Sequence, residues 1–81
     1  MKRTSDITIG ERLRELRKSR KKSVEVVSGM IGVTEASWLS WEHGERLPNL
    51  KYVLLIIDFF DVSADWLLGL TDSKKGAGYH D

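Results

Sequence analysis

Apolar and small residues recur along the chain at helical spacings, and the stretch from Val24 to Trp41 carries the most informative of these patterns. In it Ser28 stands four positions before Gly32, and two tryptophans follow six and nine positions after that glycine. Gly32 can adopt the positive φ that a sharp turn between helices requires, and Thr34 can cap the helix that follows. The stretch therefore predicts two short helices that cross at a tight turn.

The whole chain predicts five helices and no strand, because helical spacing and capping residues recur along its length. Thr8 and Glu11 have the spacing of a capping box, so the first helix is expected to begin near Thr8 and to end around Arg20. The expected ranges of the other four helices are 24–31, 35–43, 50–60 and 64–68. Their expected N-caps are Ser23, Thr34, Asn49 and Ser63.

The predicted core combines apolar stripes from several helices. The first helix contributes Ile9, Leu13 and Leu16, and the crossing pair contributes Val27, Ile31, Val33, Trp38 and Trp41. On the fourth helix the expected core face is Leu50, Val53, Leu54, Ile57 and Phe60. At 81 residues and 41% apolar content the chain can build one such core, so we expect one domain at 7–72 and a flexible tail at 73–81.

A second apolar stripe on the fourth helix predicts contact with a partner. A helix that is apolar on most sides needs cover on most sides, and a domain this small is expected to leave some of that surface exposed. This second stripe is Tyr52, Leu55, Ile56 and Phe59. With residues of the fifth helix, the predicted dimer surface is Tyr52, Leu55, Phe59, Leu67 and Leu70. The alternative is that Phe60 and Trp66 fill the core and that the tail covers the rest.

Composition argues against several classes of protein. The chain contains no cysteine, so neither a disulfide nor a thiolate metal site can support it. Metal-ligand spacing and glycine-rich phosphate loops do not occur, so we expect no enzyme, metal, cofactor or small-molecule substrate. The longest apolar run, Val53 to Ile57, is too short to span a membrane, and polar residues follow Lys2 and Arg3 where a signal peptide would be apolar. These features are compatible with a cytoplasmic protein.

The net charge of +1 hides an uneven distribution. Residues 1–22 contain nine basic and three acidic residues, whereas the remainder contains four basic and nine acidic residues. The basic cluster is Arg12, Arg14, Arg17, Lys18, Arg20, Lys21 and Lys22. It could lie along phosphates and supply a salt-dependent affinity, or it could be a solvated helix face. A charge run taken alone favours the second interpretation.

Four segments of the chain, IGERLRELRKSR, GVTEASWLSWEHG, ERLPNL and VSADWLLGLTD, carry a family signature across residues 9–72. Together they resemble the small helix-turn-helix domains of the Cro and phage-repressor type, known as the XRE family. The resemblance implies an all-α, compact five-helix bundle, a lambda-repressor-like DNA-binding domain. In this family the third helix enters the major groove of double-stranded DNA, often as a dimer on a two-fold operator.

The resemblance also implies roles for individual residues. Arg17 falls where the family's guanidinium pairs with the glutamate that follows the third-helix aromatic residue, here Glu42. The implied DNA contacts on the third helix are Glu35, Ala36, Ser37, Leu39, Ser40 and His43. Those in the segments around it are Lys22, Ser23, Val24, Arg46, Asn49 and Lys51.

The third helix departs from the family pattern, because the usual Gln, Arg or Lys is missing from its outer turns. Glu35 can accept a hydrogen bond from a cytosine amino group, although it could equally serve only the helix dipole. Val24 stands where many relatives place a glutamine that anchors a phosphate or a base, so only its backbone N–H can replace that contact. Direct reading of bases is therefore expected to be sparse.

Two functions follow from these patterns. The first is a sequence-specific DNA-binding transcriptional regulator, a repressor that acts as a homodimer on an operator through its third helix. The second is a protein-interaction module, antitoxin-like or accessory, that keeps the fold and binds DNA weakly or without specificity. The two differ in whether residues 35–43 contact bases or a protein partner.

Overall fold

A computed structural model of the chain describes the backbone of residues 4–73 and the side chains of residues 8–73. Its helices are α1 (Thr4–Ser19), α2 (Val24–Ile31), α3 (Glu35–Glu42), α4 (Leu50–Phe60) and α5 (Ala64–Leu67). Within residues 4–73, none of them is long and apolar enough to cross a membrane. The expected all-α architecture is confirmed, and the expected flexible tail beyond residue 73 lies outside the described residues.

The start of α1 differs from the prediction. The helix begins at Thr4 and not near Thr8, so Thr8 lies inside the helix and does not cap it. Its side chain instead lies against Gly69, where an added Cβ would come within 2.7 Å of the Thr8 methyl group. A threonine three residues before a glutamate also fits a helix interior, because residues at that spacing are neighbours on one face. Capping-box spacing alone therefore does not fix where a helix begins.

The other four N-caps are confirmed, and each uses one side-chain oxygen to accept a first-turn backbone N–H. The pairs are Ser23 with Val26 at 3.1 Å, Thr34 with Ser37 at 3.1 Å, Asn49 with Tyr52 at 3.1 Å and Ser63 with Trp66 at 3.3 Å. Such caps satisfy backbone donors that a helix leaves unpaired, and each contributes about 1 kcal/mol. The short helices α2, α3 and α5 therefore begin at defined residues.

The core lies where α1 packs against α3 and α5 and where α2 packs against α3 and α4. Its buried apolar residues are Ile9, Leu13, Leu16, Val27, Ile31, Trp38, Trp41, Ile56, Phe60, Val62, Trp66 and Leu67. Val33, which the spacing placed in the core, is only partly buried. The rings of Trp38 and Trp41 lie 5.7 Å apart, and the Trp41 ring lies 5.6 Å from that of Tyr52, so aromatic contacts join α3 to α4.

The buried face of α4 was predicted only in part: Phe60 is buried, and Val53 and Ile57 are partly buried against the core. Leu50 is 71% exposed and Leu54 is 57% exposed, whereas Ile56, assigned to the outer stripe, is completely buried. Because nearly every position of α4 is apolar, the spacing of its residues does not reveal which face the rest of the chain covers. The core covers the side of Ile56 and Phe60, and Leu50 and Leu54 lie on the opposite side.

The predicted dimer surface needs a related correction. Leu67 is completely buried and cannot belong to an exposed surface in this fold, because it packs inside the core. Tyr52 and Leu55 are partly buried against the same core. Phe59 and Leu70 are exposed, at 51% and 73%. The two most exposed apolar side chains on α4, Leu50 and Leu54, are therefore not among those that the second stripe singled out.

Gly10 allows α1 and α3 to approach each other closely. A Cβ at this position would lie 2.5 Å from the carbonyl oxygen of Glu42 and 2.6 Å from that of Trp41. Both are backbone atoms, so they cannot move aside as the end of a flexible side chain could. The sequence does not reveal this role, because the glycine stands within an ordinary helical pattern with no turn beside it.

We predict that Gly10→Ala lowers the free energy of unfolding by about 1–3 kcal/mol, since its methyl group would push α3 away from α1. Gly29→Ala is the matched control, because a Cβ on this helical glycine meets nothing within 4 Å. We expect the control to be about 0.5–1 kcal/mol more stable than the parent, because alanine favours the helix. Urea unfolding followed by far-ultraviolet circular dichroism measures both. Equal effects of the two changes would contradict the close α1–α3 contact.

Candidate nucleic-acid interface

The turn between α2 and α3 has the geometry that its spacing predicted. Gly32 has a φ of 88°, in the left-handed region. The backbone N–H groups of Gly32 and Val33 donate to the carbonyl oxygen of Ser28 at 2.8 and 2.9 Å, so α2 ends within one turn. Ser28 itself is buried, and its hydroxyl donates to the Glu25 carbonyl at 3.1 Å. A short, fully bonded turn therefore sets the direction in which α3 leaves α2.

α3 has one buried side and one outer side. Trp38 and Trp41 fix the buried side in the core. The outer side carries the six residues that the resemblance implied: Glu35, Ala36 and His43 are exposed, and Ser37, Leu39 and Ser40 are half-buried. The structure thus places five of these side chains on one short helix and the sixth, His43, at its C-cap.

Hydrogen bonds on α3 limit what its two serines can offer to a ligand. The Thr34 hydroxyl donates to Ser37 Oγ at 3.0 Å, which leaves the Ser37 hydroxyl proton available. The Ser40 hydroxyl donates to the Ser37 carbonyl at 2.7 Å, so its proton is already used and its lone pairs remain. Ser37 is therefore placed to donate, and Ser40 and the Glu35 carboxylate are placed to accept.

The loop after α3 is tied to the same helix. The backbone N–H groups of Glu45 and Arg46 donate to the Ser40 carbonyl at 2.9 and 3.3 Å, and Gly44 has a φ of 71°. These bonds hold the exposed Arg46 beside the end of α3. Asn49 uses its side-chain oxygen as the cap of α4, so only its amide N–H groups remain to donate.

Lys22, Ser23 and Val24 lie where α2 begins. The Lys22 carbonyl accepts a hydrogen bond from Arg17 Nη1 at 3.1 Å, so this segment is held against α1. Lys22 and Val24 are half-buried, and Ser23 is exposed. Backbone N–H groups in the first turn of a helix point outward without helical partners, and they can donate to an anion.

The N-terminal basic cluster does not form one continuous stripe. Arg12 lies 4.9 Å over the Trp66 ring and donates to Asp72 at 3.3 Å, so it is bound to the end of the domain. Arg20 donates to the Phe60 carbonyl at 2.6 Å and lies over the Phe60 ring. Both guanidinium groups thus contact the fold itself, so the run is neither a continuous phosphate-binding stripe nor simply a solvated helix face.

Arg17 and Glu42 form the pair that the resemblance implied. Arg17 Nε and Nη2 donate to the two carboxylate oxygens of Glu42 at 2.6 and 3.2 Å, and the two side chains are 14% and 3% exposed. The indole N–H of Trp38 also donates to the Glu42 carboxylate. The hydrogen bonds to Glu42 raise the pKa of the Arg17 guanidinium above its ordinary value, against the opposing effect of burial. This network fixes the C-terminal end of α3 on α1.

The Trp38 contact was missing from the sequence analysis, although a signal for it exists. Trp38 and Glu42 are four residues apart, so they are neighbours on the surface of α3. A buried indole N–H needs an acceptor, and a glutamate one turn further along is a natural one.

A model of the helix-turn-helix domain matches residues 10–73. The chain belongs to the helix-turn-helix family. It is 37% identical over 62 residues to YobD, described as an uncharacterized HTH-type transcriptional regulator, of Bacillus subtilis, an alignment covering 76% of this chain and 55% of that protein. It is 33% identical over 67 residues to the HTH-type transcriptional regulator AnsR of the same organism, and this alignment covers 83% of this chain and 58% of AnsR. The chain thus spans about half the length of these curated relatives.

Solved structures agree with this family. The helix-turn-helix fold of this chain matches the c2 repressor of phage P22, solved with a synthetic operator, with a TM-score of 0.72 and 32% identity over 78% of this chain and 96% of that one. It matches the restriction-modification controller protein C.AhdI of Aeromonas hydrophila with a TM-score of 0.68 and 28% identity. This match covers 75% of this chain and 92% of C.AhdI. The match to the N-terminal DNA-binding domain of SinR from Bacillus subtilis has a TM-score of 0.68 and 26% identity. It covers 75% of this chain and 90% of the SinR domain.

We predict that Glu42→Ala lowers the free energy of unfolding by about 3 kcal/mol, because it leaves the Arg17 guanidinium and the Trp38 indole N–H without their acceptor. Glu42→Gln keeps a hydrogen-bond acceptor but not the charge, so we expect its free energy of unfolding to lie between those of the parent and the alanine variant. Glu45→Ala is the control, since Glu45 is exposed, and we expect a change within about 0.5 kcal/mol. Urea unfolding at pH 7 measures all three. A Glu42→Ala chain as stable as the parent would contradict the role given to the pair.

Proposed function

We propose that this chain is the DNA-binding domain of a transcriptional regulator and that it binds double-stranded DNA sequence-specifically with α3 in the major groove. The observation that supports this most strongly is the outer side of α3. Two buried tryptophans and the Arg17–Glu42 pair hold α3 in place. The fold around α3 matches that of the operator-bound P22 c2 repressor over 78% of this chain. A helix of this size fits the major groove of B-form DNA.

The chemistry of α3 suits a small number of base contacts. The Glu35 carboxylate can accept from a cytosine amino group, and the Ser37 hydroxyl can donate to a base acceptor. Ser40 can accept only, because its proton is bound to the Ser37 carbonyl. The Ala36 methyl is exposed and can touch a thymine methyl group. Specificity in this proposal comes from these few contacts and from the shape of the duplex.

Most of the affinity comes from the DNA backbone in this proposal. The exposed Arg46 beside the end of α3 pairs with a phosphate, and the Asn49 amide and the first N–H groups of α2 donate to neighbouring phosphates. Such contacts release counterions, so binding weakens steeply as salt is added.

The regulator we propose is a cytoplasmic repressor that acts as a homodimer. Two copies related by a two-fold axis place their α3 helices in successive major grooves, about 34 Å apart, on a palindromic operator. Occupation of that operator excludes the polymerase. The relatives' names support regulation: they include transcriptional regulators of Bacillus subtilis and the C2 repressor of phage P22, to which this chain is 32% identical over 72 residues.

A protein-interaction module is the second candidate, and the composition of α3 favours it. The outer turns of the helix carry an acidic side chain and a half-buried Leu39, and no Arg, Lys, Gln or Asn. A helix of that kind can contact a protein as readily as a base pair. Selection from random duplexes separates the two candidates. We expect a palindromic site to be enriched at low salt, and a failure to enrich any site would favour the interaction module.

We predict that Arg46→Ala weakens binding to every duplex by the same factor and lowers the slope of log Kd against log salt concentration by about one, because one phosphate contact is lost. Lys18→Ala is the matched control: it removes the same charge from the side of α1 opposite the buried Leu13 and Leu16. Fluorescence anisotropy over a range of salt concentrations measures both. Equal slopes for the two variants would contradict a phosphate contact at Arg46.

A further inference from the structure

The outer side of α4 exposes a ridge of large apolar side chains. Leu50 and Leu54 are one turn apart and are 71% and 57% exposed. Leu54 borders a cleft of about 640 Å³ whose apolar wall includes Leu55, Ile57 and Val62. A second apolar cleft lies on the side of Leu50, lined in part by Leu67 and Leu68. An apolar ridge between two clefts is the shape that packs against another helix, ridge into groove.

Charged residues on the same side of α4 indicate which partner fits. Lys51 and Asp58 both line the cleft beside Leu54. They are seven residues apart, which is about two turns, so they point in nearly the same direction, with the cation towards the start of the helix and the anion towards its end. Their midpoint falls between residues 54 and 55. Asp61 also lines the cleft, one turn beyond Asp58. The cleft is therefore charged oppositely at its two ends, with Leu54 and Leu55 between them.

A second copy of α4, related by a two-fold axis through that midpoint, runs antiparallel to the first. The axis places Lys51 of each copy opposite Asp58 of the other, so the same ion pair forms twice. It also places the apolar ridge of each copy beside the cleft of the other. A parallel arrangement would instead put like charges together and would be disfavoured. The surface is thus complementary to itself, as a two-fold interface requires.

We propose that the outer side of α4 is a homodimer interface in which two α4 helices pack antiparallel, with Leu54 at the centre and a Lys51–Asp58 pair at each end. This interface is the surface through which the homodimer of the proposed function would form. Only its role on an operator rests on that proposed function. It assigns Lys51 to the second copy and not to the DNA backbone, and it replaces the partly buried surface that the sequence predicted.

Charge reversal in the full 81-residue chain tests the interface without DNA. Lys51→Glu and Asp58→Lys each place two pairs of like charges across the interface, and the double variant restores opposite charges. In sedimentation equilibrium at low salt we expect each single change to weaken the dimer about tenfold or more and the double change to recover most of the loss. Thermal melts of all four chains at low concentration report any effect on the fold itself.

Cross-linking locates the two-fold axis independently. The chain contains no cysteine, so Leu54→Cys carries a single thiol close to the proposed axis. We expect mild oxidation to join two copies of this variant through a disulfide. Ala36→Cys is the control, because Ala36 is exposed on α3 and away from the proposed interface. Equal cross-linking of the two variants would overturn the proposed packing.

Two further results would overturn the interface: a wild-type chain that stays monomeric at about 100 µM, or the same dimer dissociation constant for the wild-type chain and its three charge variants. Either would mean that something else covers α4. Neither result would contradict DNA binding. A monomer that still enriches a single half-site in the duplex selection would leave the proposed sequence-specific DNA binding standing and would contradict only the dimer. A dimer that enriches no site would support the interface and contradict the proposed function.

Discussion

Arg17 binds the carboxylate of Glu42 through two hydrogen bonds, and the position of α3 depends on this pair. The carboxylate is almost completely buried, and it also accepts the indole N–H of Trp38. A buried charge without such partners costs several kcal/mol, so the three side chains stabilise the fold only when they are together. At the other end of the same contact, Gly10 lets the α1 backbone approach the last turn of α3. The result is a short helix held rigidly along its inner side.

That rigidity links the fold to the proposed function. An eight-residue helix has little stability by itself, so its outer side chains take defined positions only because its inner side is fixed in the core. The turn at Gly32 and the hydrogen bonds that the following loop donates to the Ser40 carbonyl extend the same order to the residues around α3. The chain can thus present a small set of donors and acceptors with defined directions, which reading a base pair requires.

Much of this arrangement could be predicted from the sequence, because the signals for it are local. Caps such as Thr34, the glycine at the turn and the spacing of the tryptophans each act within a few residues. Contacts between distant segments could not be predicted in the same way. Gly10 looked like any helical position, since the carbonyl groups it meets lie more than 30 residues away. The side of α4 that is buried was missed for the opposite reason, because almost every position there is apolar.

The most direct test of the link between a fixed α3 and DNA reading is a nuclear magnetic resonance titration of the isotope-labelled chain with an enriched duplex. The backbone amide signals of Glu35, Ala36, Ser37 and Arg46 are expected to shift most, while those of the buried Leu13 and Leu16 stay close to their free positions. Shifts that spare residues 35–46 and fall elsewhere would contradict the role given to α3.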